Sequence, residues 1–169
     1  HGVVLSPLES PDLARAIARM PPRGGVIIRP YALAPQDRAR TVRAARYAAH
    51  ARRHWVLISD RLPRAGFAGR HGGAGQGRRQ RADGVLSLPV HNMREARQSR
   101  RARANLVFVS PLFATASHAG APALGQRRFA MLAAMCGAPV IALGGMDPQR
   151  FRIARRLGAY GWAGISCWT

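Results

Sequence analysis

The chain contains no lysine and very little acid. All 27 of its cationic side chains are arginines, set against seven carboxylates: Glu9, Asp12, Asp37, Asp60, Asp83, Glu95 and Asp147. The formal net charge is +20 and the isoelectric point about 12.0. Such a surface attracts phosphate groups. The arginines, however, are spread over several expected helices, with denser knots at Arg78-Arg79, Arg81 and Arg100-Arg101. They form no single stripe interleaved with aromatics, which argues against a dedicated nucleic-acid interface. Cysteine is also scarce. Cys136 and Cys167 stand in no metal-ligand spacing and are too few for a disulfide framework, so a cytoplasmic location is expected. No run approaches the roughly 18 apolar residues of a membrane span. Residues 1–9 lack a basic stretch ahead of a long apolar core, so neither a membrane partner nor a signal peptide is expected.

What is present is an alternation of short apolar runs with amphipathic segments. Strands are expected at Val3–Leu5, Val26–Ile28, Trp55–Ile58, Gly66–His71, Val85–Leu88, Leu106–Val109, Val140–Leu143 and Gly161–Trp168. Helices are expected from Ser10 to Met20, Gln36 to Arg53, Met93 to Arg103, over 125–136, and from Pro148 to Leu157. Ser10 followed by Pro11 and Asp12 has the chemistry of a helix start. Residues 60–65 are too few for a good helix, and Gly72–Asp83 is glycine- and arginine-rich without a helical period. Parallel strands need crossovers and bury both faces. Eight of them predict closure into a (β/α)8 TIM barrel, here short and with eroded or missing helices, in a single domain spanning 1–169. An open doubly wound parallel sheet is the alternative, because such barrels usually exceed roughly 200 residues.

Barrel enzymes build their sites at the C-terminal strand ends, which directs attention to three stretches. Val90-His91-Asn92 follows the fifth strand. Residues 110–120 follow the sixth and contain Thr115, Ser117 and His118. Gly144-Gly145 follows the seventh, and Ile165-Ser166 ends the eighth. Paired glycines let backbone N–H groups approach an anion, hydroxyls add donors, and the loops after strands seven and eight are a recurrent phosphate site. Thr115, Ser117, Gly144, Gly145, Ile165 and Ser166 are therefore the candidate anion cradle, with Arg29, just past the second strand, as a candidate contact. Other residues read as structural. His50 and His54 suit a surface, Asp60 suits an ion pair with Arg61 or another arginine, and Cys136 falls on the apolar stripe of its helix.

Residues 84–168 resemble the thiamin-phosphate synthase and TenI family. The matching stretches are VHNMREA (90–96), ANLVFVSPLFATASHAGAPALG (104–125), APVIALGGMDP (138–148) and GAYGWAGIS (158–166). Upstream, GGVIIRP (24–30), VLISDR (56–61) and AGRHGG (68–73) are similar to the family's earlier strands. The resemblance implies a barrel of thiamin biosynthesis that takes a phosphorylated thiazole or thiamin phosphate; a homo-oligomer is compatible with it. Synthases of the family hold pyrophosphate and Mg²⁺ with two aspartates, a serine and a lysine. Asp60 matches the first aspartate and is the candidate metal ligand, with Asp147 a distant second; HGGAGQ (71–76) lacks the second aspartate. Pro89 stands at the serine position and His118 at the lysine position, where it becomes a candidate phosphate contact. The SHAGAPALG stretch is closer to the TenI branch. There, thiazole tautomerases use a histidine placed like His91 to move a proton, with no cofactor. The resemblance thus points to His91 as the catalytic residue of a tautomerase. The alternatives are a Mg²⁺-dependent synthase and a barrel without activity that binds a phosphate or a partner.

Overall fold

The computed structural model describes residues 2–5, 10–22, 24–29, 33–59, 66–72, 84–115 and 122–164. Eight strands run in sequence order around a closed barrel. They are β1 (Gly2–Leu5), β2 (Gly25–Ile28), β3 (Trp55–Ser59), β4 (Gly69–His71), β5 (Val85–Val90), β6 (Leu106–Val109), β7 (Val140–Ala142) and β8 (Gly161–Gly164). Every neighbouring pair is parallel, and β1 closes on β8 through Gly2↔Trp162, Val3↔Ala163 and Val4↔Gly164. That closing pair decides between the two sequence readings: an open sheet would have left both strands as edges. Among the described residues, five helices stand around the barrel: α1 (Ser10–Arg19), α2 (Pro35–Ala51), α3 (Met93–Arg101), α4 (Gly125–Cys136) and α5 (Pro148–Arg156).

The strands read as unbroken apolar runs because each face of the sheet is buried in a different layer. Side chains alternate across a strand. Ile27, Leu57, Phe108, Ile141 and Ala163 meet inside the barrel. Their chain neighbours Val26, Ile28 and Ile58 point outward against Leu13, Ile17 and Met20 of the α1 segment and Ala45 and Ala49 of α2. On the opposite side Val107, Val109, Val140 and Ala142 pack on Phe129, Leu132 and Cys136 of α4 and Ala154 of α5. The Cys136 thiol is buried there, donates to the Leu132 carbonyl, and is pushed up in pKa by burial.

Residues 60–68, between β3 and β4, are fewer than the dozen or so that a helical crossover needs. The outer face of β3 packs beside α2 through Ile58, Ala45 and Ala49. A cavity of about 780 Å³ lies there, lined by Val42, Arg46 and Tyr47 of α2 together with Ile58 and Phe67, and Tyr47 and Trp55 are exposed. The cavity lining comes from α2 and the outward side of β3 and so lies outside the barrel interior. His54, expected at the surface, is buried instead. It sits just before β3 and accepts the Gly24 N–H on Nδ1 at 3.0 Å, tying the starts of β2 and β3 together.

Candidate active site

The parity that puts Leu57 and Phe108 inside the barrel also decides what lies above them. Two residues beyond Leu57 is Ser59. It pairs with His71 of β4, which in turn pairs with Ser87 of β5. These three form one in-register row on the inner face at the C-terminal side, and all are buried. A polar layer thus caps an apolar one. His71 Nδ1 lies 2.9 Å from Ser87 Oγ. That hydroxyl is also 3.3 Å from the Arg70 carbonyl, which can only accept. With the hydroxyl proton given to that carbonyl, His71 Nδ1–H is the donor to Ser87, and Nε2 carries the lone pair. The His71 ring stands edge-on to Phe108, centroids 5.2 Å apart. Burial, reinforced by the charges of Arg29 and His91, pushes its pKa down to about 4. A neutral histidine therefore sits at the inner end of the barrel mouth, within electrostatic reach of both Arg29 and His91.

His91 directly follows β5. Its side chain is 51% exposed, so it is open to a ligand at the mouth. Asn92 caps α3 by accepting the Glu95 N–H at 3.0 Å. Glu95 reaches back and accepts the His91 backbone N–H at 2.6 Å and lies 2.8 Å from His91 Nδ1. This is a variant of the reciprocal helix-start box, displaced by one residue so that it engages His91 rather than the cap itself.

On the other side of the mouth the loops after β6 and β7 zip together. Leu112 N–H donates to Leu143 O, and Phe113 N–H to Gly144 O. Gly144 and Gly145 have φ of +94° and +60°, a region costly for any side chain. A Cβ on Gly144 would lie 2.6 Å from Pro111 Cβ, and one on Gly145 would lie 2.4 Å from Ala114 O. Glycine is thus required for packing at both positions, whatever else the loop binds. Thr115 follows Ala114 directly and is half-buried. Asp147 caps α5 through the Arg150 N–H at 2.7 Å. The Arg150 guanidinium lies over Phe113, 5.1 Å from the ring centroid, and donates to Gly145 O.

Of the candidates read from the sequence, His91, Arg29, Thr115, Gly144 and Gly145 all follow strands at the same end of the barrel. Ser117, His118, Ile165, Ser166 and Asp60 lie outside the described residues. The buried row of Ser59, His71 and Ser87 was not singled out beforehand, nor was Glu95. In β3 and β5 the only signal was a serine interrupting an apolar run, and in β4, Gly-Arg-His, there was none. Among the described residues, no three His, Cys, Asp or Glu side chains gather to hold a metal ion. No helix among them is long and apolar enough to cross a membrane.

The family model of thiamine monophosphate synthase, TMP-TENI, matches residues 12–167. The chain belongs to that family. Curated members similar to it include a putative thiamine-phosphate synthase 2 of Aquifex aeolicus, 30% identical over 82 residues that cover 48% of this chain and 44% of that one. Another is a thiamine-phosphate synthase of Syntrophomonas wolfei, 32% identical over 83 residues covering 48% and 40%. The matches thus span less than half the length of these relatives. Among solved structures, a thiamine phosphate pyrophosphorylase from Pyrococcus furiosus aligns with a TM-score of 0.76 at 16% identity, covering 98% of this chain and 84% of that one. FabK from Thermotoga maritima aligns with a TM-score of 0.73 at 21% identity, covering 99% and 58%. At these identities the likeness of the TMP-TENI barrel to the solved structures shows the fold alone.

Proposed function

We propose that residues 1–169 act as one barrel that binds a phosphorylated thiazole at the C-terminal strand ends and isomerises it by proton transfer through His91, without a metal. The observation that carries this reading is His91 itself. It is half-exposed just past β5, with its ring fixed by a carboxylate and with the neutral His71 in electrostatic reach, itself within reach of Arg29. The reaction class asks for little else. One proton leaves the substrate and one returns at another atom, with no change of oxidation state and no leaving group, so one histidine within reach of both atoms suffices. The phosphate is assigned to the joined loops after β6 and β7, through Thr115, Gly144 and Gly145, extended by Ser117, His118, Ile165 and Ser166, with Arg29 across the mouth.

The residues present do not fit Mg²⁺. Pyrophosphate displacement needs several fixed carboxylates to hold the ion. Segment 71–76 supplies none, Pro89 and His118 replace a hydroxyl and an ammonium, and Asp60 is the one acid on β3 or just past it. The names of the curated relatives favour the second reading, a Mg²⁺-dependent synthase. Purified protein given a thiazole phosphate and a pyrimidine pyrophosphate distinguishes the two. On the tautomerase reading no condensation product forms with or without Mg²⁺, whereas a thiazole carboxylate phosphate isomerises in the presence of EDTA. Condensation at ordinary enzymatic rates, dependent on Mg²⁺, would establish the synthase.

A further inference from the structure

Glu95 is one of seven acids in a chain with 27 arginines, so its surroundings favour pairing with a guanidinium. Its Oε2 is instead committed twice to one residue, accepting the His91 backbone N–H at 2.6 Å and lying 2.8 Å from His91 Nδ1. The carboxylate is itself fixed from behind. The Glu95 N–H donates to Asn92 Oδ1 at 3.0 Å, and the helix that carries it is anchored by the buried Ala96 and Ser99. His91, Asn92 and Glu95 therefore form a closed set of three hydrogen bonds across the strand-to-helix junction.

An ionised carboxylate accepts only. The proton in the Glu95–His91 contact must then sit on Nδ1, and in the neutral imidazole Nε2 carries the lone pair. The backbone contact alone would be a sufficient reason for a glutamate at this place in a helix start. The contact with the ring goes beyond that requirement. It selects one tautomer and removes the rotation that would otherwise average a half-exposed side chain.

We propose that Glu95 is a positioning residue, which holds His91 in the Nδ1–H tautomer and so presents Nε2 as the atom that takes and returns the proton. In its catalytic consequence this rests on the reading of His91 as the acid/base group; in its tautomer it does not. The discriminating variant is Glu95→Gln. The same oxygen must still accept the His91 backbone N–H, so the amide keeps its carbonyl toward the ring and the tautomer is retained. In Glu95→Ala both constraints are lost.

The test is ¹⁵N NMR of the His91 ring in the full chain at pH 8, with His91→Gln used to assign the signals. In wild type and Glu95→Gln the expected pattern is a protonated Nδ1 and a bare Nε2. In Glu95→Ala the ring is expected to move toward the Nε2–H form that histidine prefers in water. With a thiazole carboxylate phosphate, Glu95→Ala is expected to lower kcat roughly tenfold or more while KM changes little. A bare Nδ1 in wild type would overturn the proposal without any variant being needed. So would a Glu95→Ala ring with an unchanged tautomer. If the ring behaves as expected but no form of the protein turns over the thiazole, the positioning stands and the assigned reaction fails.

Discussion

Among the described residues, His71 is the one whose chemistry departs furthest from its ordinary state. Its pKa is lowered by burial first, then by Arg29 and His91, to about 4. The native state therefore favours the neutral ring and binds fewer protons than the unfolded chain between that value and the ordinary 6.5. Stability from this group is fully present above pH 6.5 and is lost as the pH falls toward 4. By pH 5 the loss amounts to about 2 kcal/mol. His54, lowered mainly by burial, acts in the same direction. Urea unfolding between pH 7 and 5 should therefore show a steeper loss in wild type than in His71→Asn; parallel slopes would mean that His71 titrates normally in the fold. The paired glycines make a second test at this scale. A Gly145 side chain would press on Ala114 O at a φ of +60°, so Gly145→Ala should lower the melting temperature whether or not phosphate binds. Thr115→Val keeps the shape and removes one hydroxyl, and is the cleaner probe of the anion site. If that hydroxyl reaches the phosphate, affinity for a phosphorylated thiazole should fall roughly tenfold or more, the ordinary worth of a hydrogen bond to a charged group. Unchanged affinity by calorimetry would remove Thr115 from the cradle.

At the scale of elements, legibility followed burial. Strands buried on both faces, such as Val26–Ile28 and Leu106–Val109, were plain as apolar runs and are found at β2 and β6. Helices with a clear stripe were equally plain, because Phe129, Leu132 and Cys136 recur at helical spacing and all face the barrel. Phe129→Ala should therefore cost about 3–5 kcal/mol, measured by denaturant unfolding; a cost under 1 kcal/mol would mean that α4 is not docked as described. β4 was harder to delimit. Its expected span from Gly66 shortens to Gly69–His71, since glycine at 69 offers no side chain to mark a strand, while a Cβ there would strike Val85 O. His71 and Ser87 escaped notice as site residues for a related reason. A polar residue in a short strand says nothing about its inward neighbours until register places Ser59, His71 and Ser87 in one row. Glu95 was equally silent, because a glutamate in the first turn of a helix already has an ordinary explanation.

For the whole molecule, the strong positive field favours the same class of ligand that is proposed for the paired loops at the strand ends. A net charge of +20 raises the local concentration of any phosphorylated compound, and this contribution is screened over about 10 Å at 0.1 M salt. Affinity for a thiazole phosphate should therefore weaken as salt rises from 20 to 300 mM, and then level off where only the short-range contacts at the mouth remain. Loss of all binding at high salt would mean that the arginines, and not the loops, hold the ligand. The most direct measurement of the central claim is turnover of a thiazole carboxylate phosphate by wild type and His91→Ala, both with EDTA and both checked for ligand binding. The expected result is metal-independent turnover that falls about 10²- to 10⁴-fold in the variant while the phosphate still binds. Equal turnover in the two proteins, or turnover that disappears with the chelator, would contradict it.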